Sequence, residues 1–173
     1  FIDGGDGANT IMGGDGDDNI TSGGGNDVIY SGTGNDTVNG GAGSNTFYID
    51  SRSGSFSGGA GDDTFEVRSG GGLYEWDGNI VINTGDGHNT VVVNAPVYFI
   101  TGGDGTDSVT VTANVSRDTS YVDLRSGDDV FISYGRFRYL ALSAGEGNDR
   151  IELYGDRFNR ANSNTAGINL GPG

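Results

Sequence analysis

The 173-residue chain has no cysteine and no lysine, and it contains only two prolines, one histidine, one tryptophan and one methionine. Without cysteine there is neither a disulfide nor a thiolate zinc site. A single histidine, His88, rules out a plausible Ser/His/Asp set, and the HExxH zinc motif is missing. All nine basic residues are arginines, set against 24 acidic ones, for a formal charge of −15. So acidic a surface excludes nucleic acid as a partner, because nucleic-acid binding runs on basic surface, and it argues equally against anionic membranes. No apolar run approaches the roughly 20 residues that a membrane-spanning helix needs. No segment shows a clear helical pattern.

Glycine is abundant, with 35 residues, and it is placed with a period. Residues 4–48 divide into five consecutive nine-residue units: GGDGANTIM, GGDGDDNIT, SGGGNDVIY, SGTGNDTVN and GGAGSNTFY. Glycine fills positions two and four of every unit. Position six is Asn9, Asp18, Asp27, Asp36 and Asn45, and position eight is Ile11, Ile20, Ile29, Val38 and Phe47. The glycine-rich half can turn tightly, since glycine reaches positive φ at little steric cost. The second half holds Thr, Ile, Val, Phe and Tyr, which suit a pleated strand. Two units then make one flattened coil, with position eight inward and positions seven and nine outward. Stacking such coils sets Ile11 beside Ile29 and Phe47, and Ile20 beside Val38, in a ladder core one residue deep.

The same stacking places Asp18 beside Asp36, and Asp27 beside Asn9 and Asn45. Residues 1–51 hold eight aspartates and no arginine, so no protein cation is near in sequence to offset them. Carboxylates and bare glycine-rich carbonyls are hard oxygen donors. They suit Ca²⁺, which accepts six to eight ligands in loose geometry, better than Mg²⁺.

These units resemble the repeats of the RTX (repeats-in-toxin) family, whose pattern is G-G-x-G-x-D-x-U-x. The resemblance implies an all-β fold, a right-handed parallel β-roll or β-helix solenoid, with calcium-triggered folding and secretion to the cell exterior. It also implies that position-six carboxylates and backbone carbonyls of neighbouring turns hold each calcium. Carried onto this sequence, that assigns Asp18, Asp27 and Asp36 as ligands. At Asn9 and Asn45 an amide oxygen can still coordinate, with the charge lost.

The nine-residue frame runs to residue 66. Residues 49–57 have Gly54 at position six and are expected to bind no metal, while residues 58–66 restore the motif with Asp63 and Phe65. The frame breaks at residues 67–83, an insertion containing Tyr74 and Trp76 that is expected to cover a solenoid face or to protrude as a loop. Turn motifs then recur at 84, 102, 124 and 144, at one-coil rather than half-coil intervals, with Asn89, Asp107, Asp129 and Asp149 at position six. The expected organisation is a regular β-roll with calcium turns on both edges over residues 1–66, then the insertion. A solenoid with metal turns mainly on one edge follows over 84–153, and 154–173 form a last rung or tail. Coil length over the whole chain is expected at about 18–22 residues, two short repeats or slightly more. Ile2 fits position eight of a repeat whose turn is missing, so the sequence reads as a piece of a longer protein.

The favoured function is a calcium-binding structural module of a secreted or cell-surface protein, such as a surface layer, adhesin or fibre of bacterial origin. It would bind several calcium ions and possess some tendency to self-association. An alternative is a glycan-binding segment using the 67–83 loop or a patch of Tyr134, Arg136, Arg138 and Tyr139. A polysaccharide lyase or epimerase module, built on Glu66, Arg68, Glu75 and Asp77, is weaker because only fold analogy supports it. An outward threonine array (Thr10, Thr37, Thr46, Thr64) is interrupted by Asn19, Val28 and Ser55.

Overall fold

A computed structural model describes residues 1–68, 79–95, 99–113, 115–154 and 167–171. Within them the chain forms only strands and turns, and the strands alternate between two parallel sheets. The nine-stranded sheet comprises β1 (Ile2–Asp3), β3 (Asn19–Thr21), β5 (Asn35–Asn39), β7 (Ser53–Ser57), β9 (Ile80–Asn83), β11 (Phe99–Thr101), β13 (Val115–Asp123), β15 (Phe137–Ser143) and β17 (Gly167–Asn169). The eight-stranded sheet comprises β2 (Thr10–Met12), β4 (Val28–Tyr30), β6 (Thr46–Ile49), β8 (Thr64–Val67), β10 (Thr90–Val93), β12 (Ser108–Val111), β14 (Val130–Ser133) and β16 (Arg150–Leu153). In each sheet the strands follow chain order, every second strand adjacent to the next, as a β-solenoid requires.

The register is the one the repeat dictates. Ile11 pairs with Ile29 and Ile29 with Phe47, while Ile20 pairs with Val38. Each of these side chains is buried, and the residues on either side of Ile11 are exposed. The two inward rows continue as Phe65, Val91, Val109 and Phe131 in one sheet and Phe56, Ile82, Ile100, Val122 and Leu142 in the other. From β6 onward the strands of the eight-stranded sheet have four residues, and Ile49, Val67, Val93 and Val111 form a second inward row. The core therefore widens along the chain. This matches a shift from glycine-rich units to coils with more Val, Ile and Leu.

The coil that contains residues 67–83 is longer than its neighbours. Thr64 pairs with Thr90 and Gly54 with Ile80, so both sheets make the same enlarged step here. The extra length is accommodated between β8 and β9 without breaking either ladder. The aromatic residues Tyr74 and Trp76, with Glu75 and Asp77, lie outside the described residues. The threonine column also sorts by sheet: Thr10, Thr46 and Thr64 stand on the eight-stranded sheet with Val28 and Thr90, whereas Thr37 stands on the other with Asn19 and Ser55.

Glycine at position two is a requirement of stacking as well as of turning. Gly23 has φ 99°, and a Cβ there would collide with the carbonyl of Gly5 in the preceding coil. Among the described residues Arg125, which occupies the same position in its turn, is the one non-glycine residue with positive φ, at 67°. An L-residue in that conformation costs about 1–2 kcal/mol, against the roughly 0.5–1 kcal/mol of extra chain entropy that glycine loses. Arg125→Gly is therefore expected to stabilise the fold by about 0.5–1 kcal/mol. A raised thermal midpoint in saturating calcium checks this, and a lowered midpoint would refute the strain argument.

Candidate metal-binding turns

The turns leading into the eight-stranded sheet form one continuous edge. Their third residues are joined by backbone bridges, from Asp6 through Gly24, Ala42 and Ala60 to Asp86, and again from Asp104 through Ser126 to Glu146. This edge carries Asn9, Asp27, Asn45, Asp63, Asn89, Asp107, Asp129 and Asp149 at position six. Asp18 and Asp36 stand on the opposite edge, where the next turn has Gly54 in register with Asp36.

All ten candidate residues belong to hydrogen-bond ladders that run between successive coils. Wherever a candidate has an equivalent one coil earlier, its Oδ1 atom accepts from the backbone N–H of that residue. Asn9 donates to Asp27 at 2.8 Å, Asp27 to Asn45 at 3.0 Å, Asn45 to Asp63 at 2.8 Å and Asp63 to Asn89 at 2.9 Å. Asn89 donates to Asp107 at 3.3 Å, Asp107 to Asp129 at 2.7 Å and Asp129 to Asp149 at 3.0 Å. Across the molecule, Asp18 donates to Asp36 at 2.9 Å. Asp27, Asp36, Asn45, Asp63, Asn89, Asp107 and Asp129 are almost wholly buried. An outer ladder at position five runs the other way: Asn35 donates to Asp17, His88 to Asp62 and Asn148 to Asp128. His88 is exposed, and its Nδ1 accepts from the Thr106 backbone N–H.

With Oδ1 committed to the ladder in all but Asn9 and Asp18, which begin their ladders, the second atom of the side chain decides the chemistry. In Asp18, Asp27, Asp63, Asp129 and Asp149, Oδ2 is buried and has no hydrogen-bond partner. A buried carboxylate oxygen left alone is costly unless a cation or donor meets it. The space beside it is kept open by glycine. A methyl group added at Gly58 would collide with both Asp63 Oδ2 and the carbonyl oxygen of Thr84 in the next coil. One added at Gly13 would lie 2.9 Å from Asp18 Oδ2 and against the carbonyl of Ser31. Carboxylate and carbonyl oxygens thus converge on a cradle that side-chain atoms do not occupy, and an all-oxygen donor set fits calcium. Among the described residues no three His, Asp or Glu side chains cluster, so backbone carbonyls would supply the remaining ligands.

Two aspartates are met by hydroxyls that the repeat pattern does not reveal. Ser51 Oγ donates to Asp36 Oδ2 and is itself buried. Thr84 Oγ1 lies 3.4 Å from Asp107 Oδ2. Thr84 stands at position one of its turn, where most units have glycine or serine, whereas Ser51 is at position three of a unit with no acidic residue at position six and carries no such signal. The Ser31 and Ser51 hydroxyl oxygens are 2.8 Å apart, which links those two turns. The patch imagined around Tyr134 is divided between elements. Tyr134 follows β14 and stacks on Tyr154, with ring centroids 5.2 Å apart, whereas Tyr139 lies within β15. The side chain of Arg138 is outside the described residues.

Burial pushes the Asp63 carboxyl up to about 6, against hydrogen bonds from Asn45 that lower it. Burial likewise pushes Asp129 up to about 6, with Asp107 and Asp149 adding to the rise by repulsion. Asp107 is raised for the same first reason. Both values exceed the ordinary aspartate value of 3.8, so at these two positions the metal-free folded chain binds more protons than the unfolded one between about pH 4 and 6. These groups favour the metal-free fold at low pH and withdraw that support as pH rises through about 6. Calcium-stripped protein is accordingly expected to show more far-UV β signal near pH 5 than near pH 7.5. A fall in β signal on acidification would contradict this.

Two facing parallel sheets, with glycine cradles and buried carboxylate oxygens that lack a partner along their bends, define a β-solenoid of the calcium-binding structural class. The residues 3–38, 22–48 and 55–72 match the family model described as "RTX calcium-binding nonapeptide repeat (4 copies)". The chain therefore carries RTX calcium-binding repeats over its regular portion. The turns at 84, 102, 124 and 144 lie beyond the matched segments. Neither the curated proteins nor the solved structures yield a significant match.

Proposed function

We propose that this chain is a structural module of a secreted or cell-surface bacterial protein whose shape depends on calcium met outside the cell. The observation that carries the reading is the set of five buried, unpartnered Oδ2 atoms at Asp18, Asp27, Asp63, Asp129 and Asp149. Calcium, when bound, supplies the positive charge and oxygen coordination that those bends lack. The chain's own part is to hold the carboxylates rigidly through the ladder bonds and to keep carbonyl oxygens facing the same space. A chain that stays open at cytosolic calcium suits export in an unfolded form, as through a type I secretion channel, and becomes rigid at the millimolar calcium of the exterior.

The module's role is mechanical spacing within a layer, adhesin or fibre. The edge strands β1 and β17 of one sheet and β2 and β16 of the other present unpaired edges within the described residues. Further coils of this chain, or of another copy, can add there. Equilibrium dialysis is expected to find several calcium ions per chain, with dissociation constants on the order of 10⁻⁴–10⁻³ M, and no equivalent binding of Mg²⁺. A chain that takes up no calcium at a few millimolar would end this reading.

A further inference from the structure

The ten position-six residues do not all present the same chemistry to their turns, and the difference alternates along the continuous edge: Asn9, Asp27, Asn45, Asp63, Asn89, Asp107. In Asn45 and Asn89 the ladder bond fixes which atom is the oxygen, because a backbone N–H needs an acceptor. For Asn45, Oδ1 accepts from Asp27, so Nδ2 must face the turn, where it donates to the carbonyls of Gly40 at 3.3 Å and Gly43 at 3.1 Å. Asn89 Oδ1 accepts from Asp63, and its Nδ2 donates to Gly85 at 3.1 Å and Gly87 at 3.5 Å, and to Asp107 Oδ1 at 2.9 Å. Asn9 Nδ2 reaches the matching carbonyls of its own turn, Gly5 at 3.5 Å and Gly7 at 3.0 Å. In the turns of Asp27, Asp63 and Asp129, each about 1% exposed, the matching atom is an oxygen with no partner, and in that of Asp107 it is an oxygen met by the Thr84 hydroxyl.

We infer that the three asparagine turns hold no metal: the side-chain amide stands in for the cation, while the alternating aspartate turns are the ones that take calcium. The inference rests on the calcium-module reading and refines it. An amide N–H₂ carries two donors and can tie two carbonyls of its own turn; a carboxylate oxygen in the same place meets carbonyl lone pairs and repels them. An aspartate turn whose Oδ2 meets no hydroxyl therefore closes only around a cation, and an asparagine turn closes by itself. Asn9, Asn45 and Asn89 mark metal-independent turns that alternate with metal-dependent ones along this edge. Over residues 9–107 this spaces candidate ions two coils apart, about 10 Å at one strand spacing per coil, which lessens repulsion between them. Only at Asp107, Asp129 and Asp149 do acidic turns follow one another directly on this edge.

Calcium is counted on the whole chain by native mass spectrometry at saturating calcium, for wild type and three variants. Asn45→Ala is expected to keep the wild-type ion count while losing stability, because it removes the two bonds the amide donates and the ladder bond it accepts from Asp27, and no ligand. Asn45→Asp is expected to gain one ion, and Asp63→Asn to lose one and to retain more β signal than wild type in chelator. An Asn45→Ala count one lower than wild type, an unchanged count in Asn45→Asp, or an unchanged count in Asp63→Asn would each overturn the inference while leaving the calcium module intact. A wild-type chain with no bound calcium would overturn the underlying reading instead. If Asn45→Asp fails to fold, the alanine variant and Asp63→Asn still decide the question.

Discussion

Stripped of calcium at neutral pH, the chain is expected to lose most of its far-UV β signal and to recover it when calcium returns to millimolar levels. The reason is quantitative. A buried polar group without a partner costs about 1–3 kcal/mol, and more when charged. Five such carboxylate oxygens are present among the described residues, at Asp18, Asp27, Asp63, Asp129 and Asp149. Their sum, about 5–15 kcal/mol, equals the whole net stability of an ordinary domain. This chain has little reserve against it, since its 35 glycines lose unusual backbone freedom on folding. It also has no disulfide to limit the unfolded ensemble. Circular dichroism through a cycle of chelator and calcium makes the measurement. Equal β content in both halves of the cycle would mean that the stacked core suffices and that the bends need no ion.

The second large effect belongs to the core. Phe47→Ala is expected to destabilise the calcium-loaded chain by about 3–5 kcal/mol. Phe47 is 1% exposed, pairs with Ile29 on one side and Phe65 on the other, and stacks on Phe65 with centroids 4.4 Å apart. In a globular core neighbours can shift into a new cavity. Here the flanking side chains are held at fixed strand spacing by hydrogen bonds along the whole rod, so the cavity stays open. Denaturant unfolding in saturating calcium reads the loss, with Thr10→Ala on the exposed face as a control expected within about 0.5 kcal/mol of wild type. A loss under about 1 kcal/mol at Phe47 would show that the inner ladder is looser than its geometry suggests.

The regular half of the molecule was legible because one residue type marks one backbone state. Glycine at positions two and four gives the turn, and a β-branched or aromatic residue at position eight gives the inward strand. A repeat of constant length then forces Ile11 against Ile29 and Asp18 against Asp36, as the registers show. The later coils were legible only as turns at irregular intervals. Added residues in loops leave no periodic trace, while the ladder holds through the long step from Thr64 to Thr90. What composition could not convey was the second atom of each position-six side chain. Asparagine reads as a lost charge, yet at Asn45 the structure shows a gained pair of donors. The hydroxyl on Asp36 comes from Ser51, in a later turn that looks irrelevant to metal. Such partners depend on the sideways arrangement of coils, which no local motif records.

Among the described residues each strand bonds to strands one coil away and not to its neighbour in sequence. The hydrogen bonds lie along the long axis, and the chain runs across it. Tension applied between the two ends would therefore load those bonds by peeling rather than by shear, so that they yield one coil at a time. Each of the shorter coils would release roughly 60 Å of extended chain. A tether built this way gives length gradually under load and rewinds from whatever coils remain, since each intact coil is the template for the next.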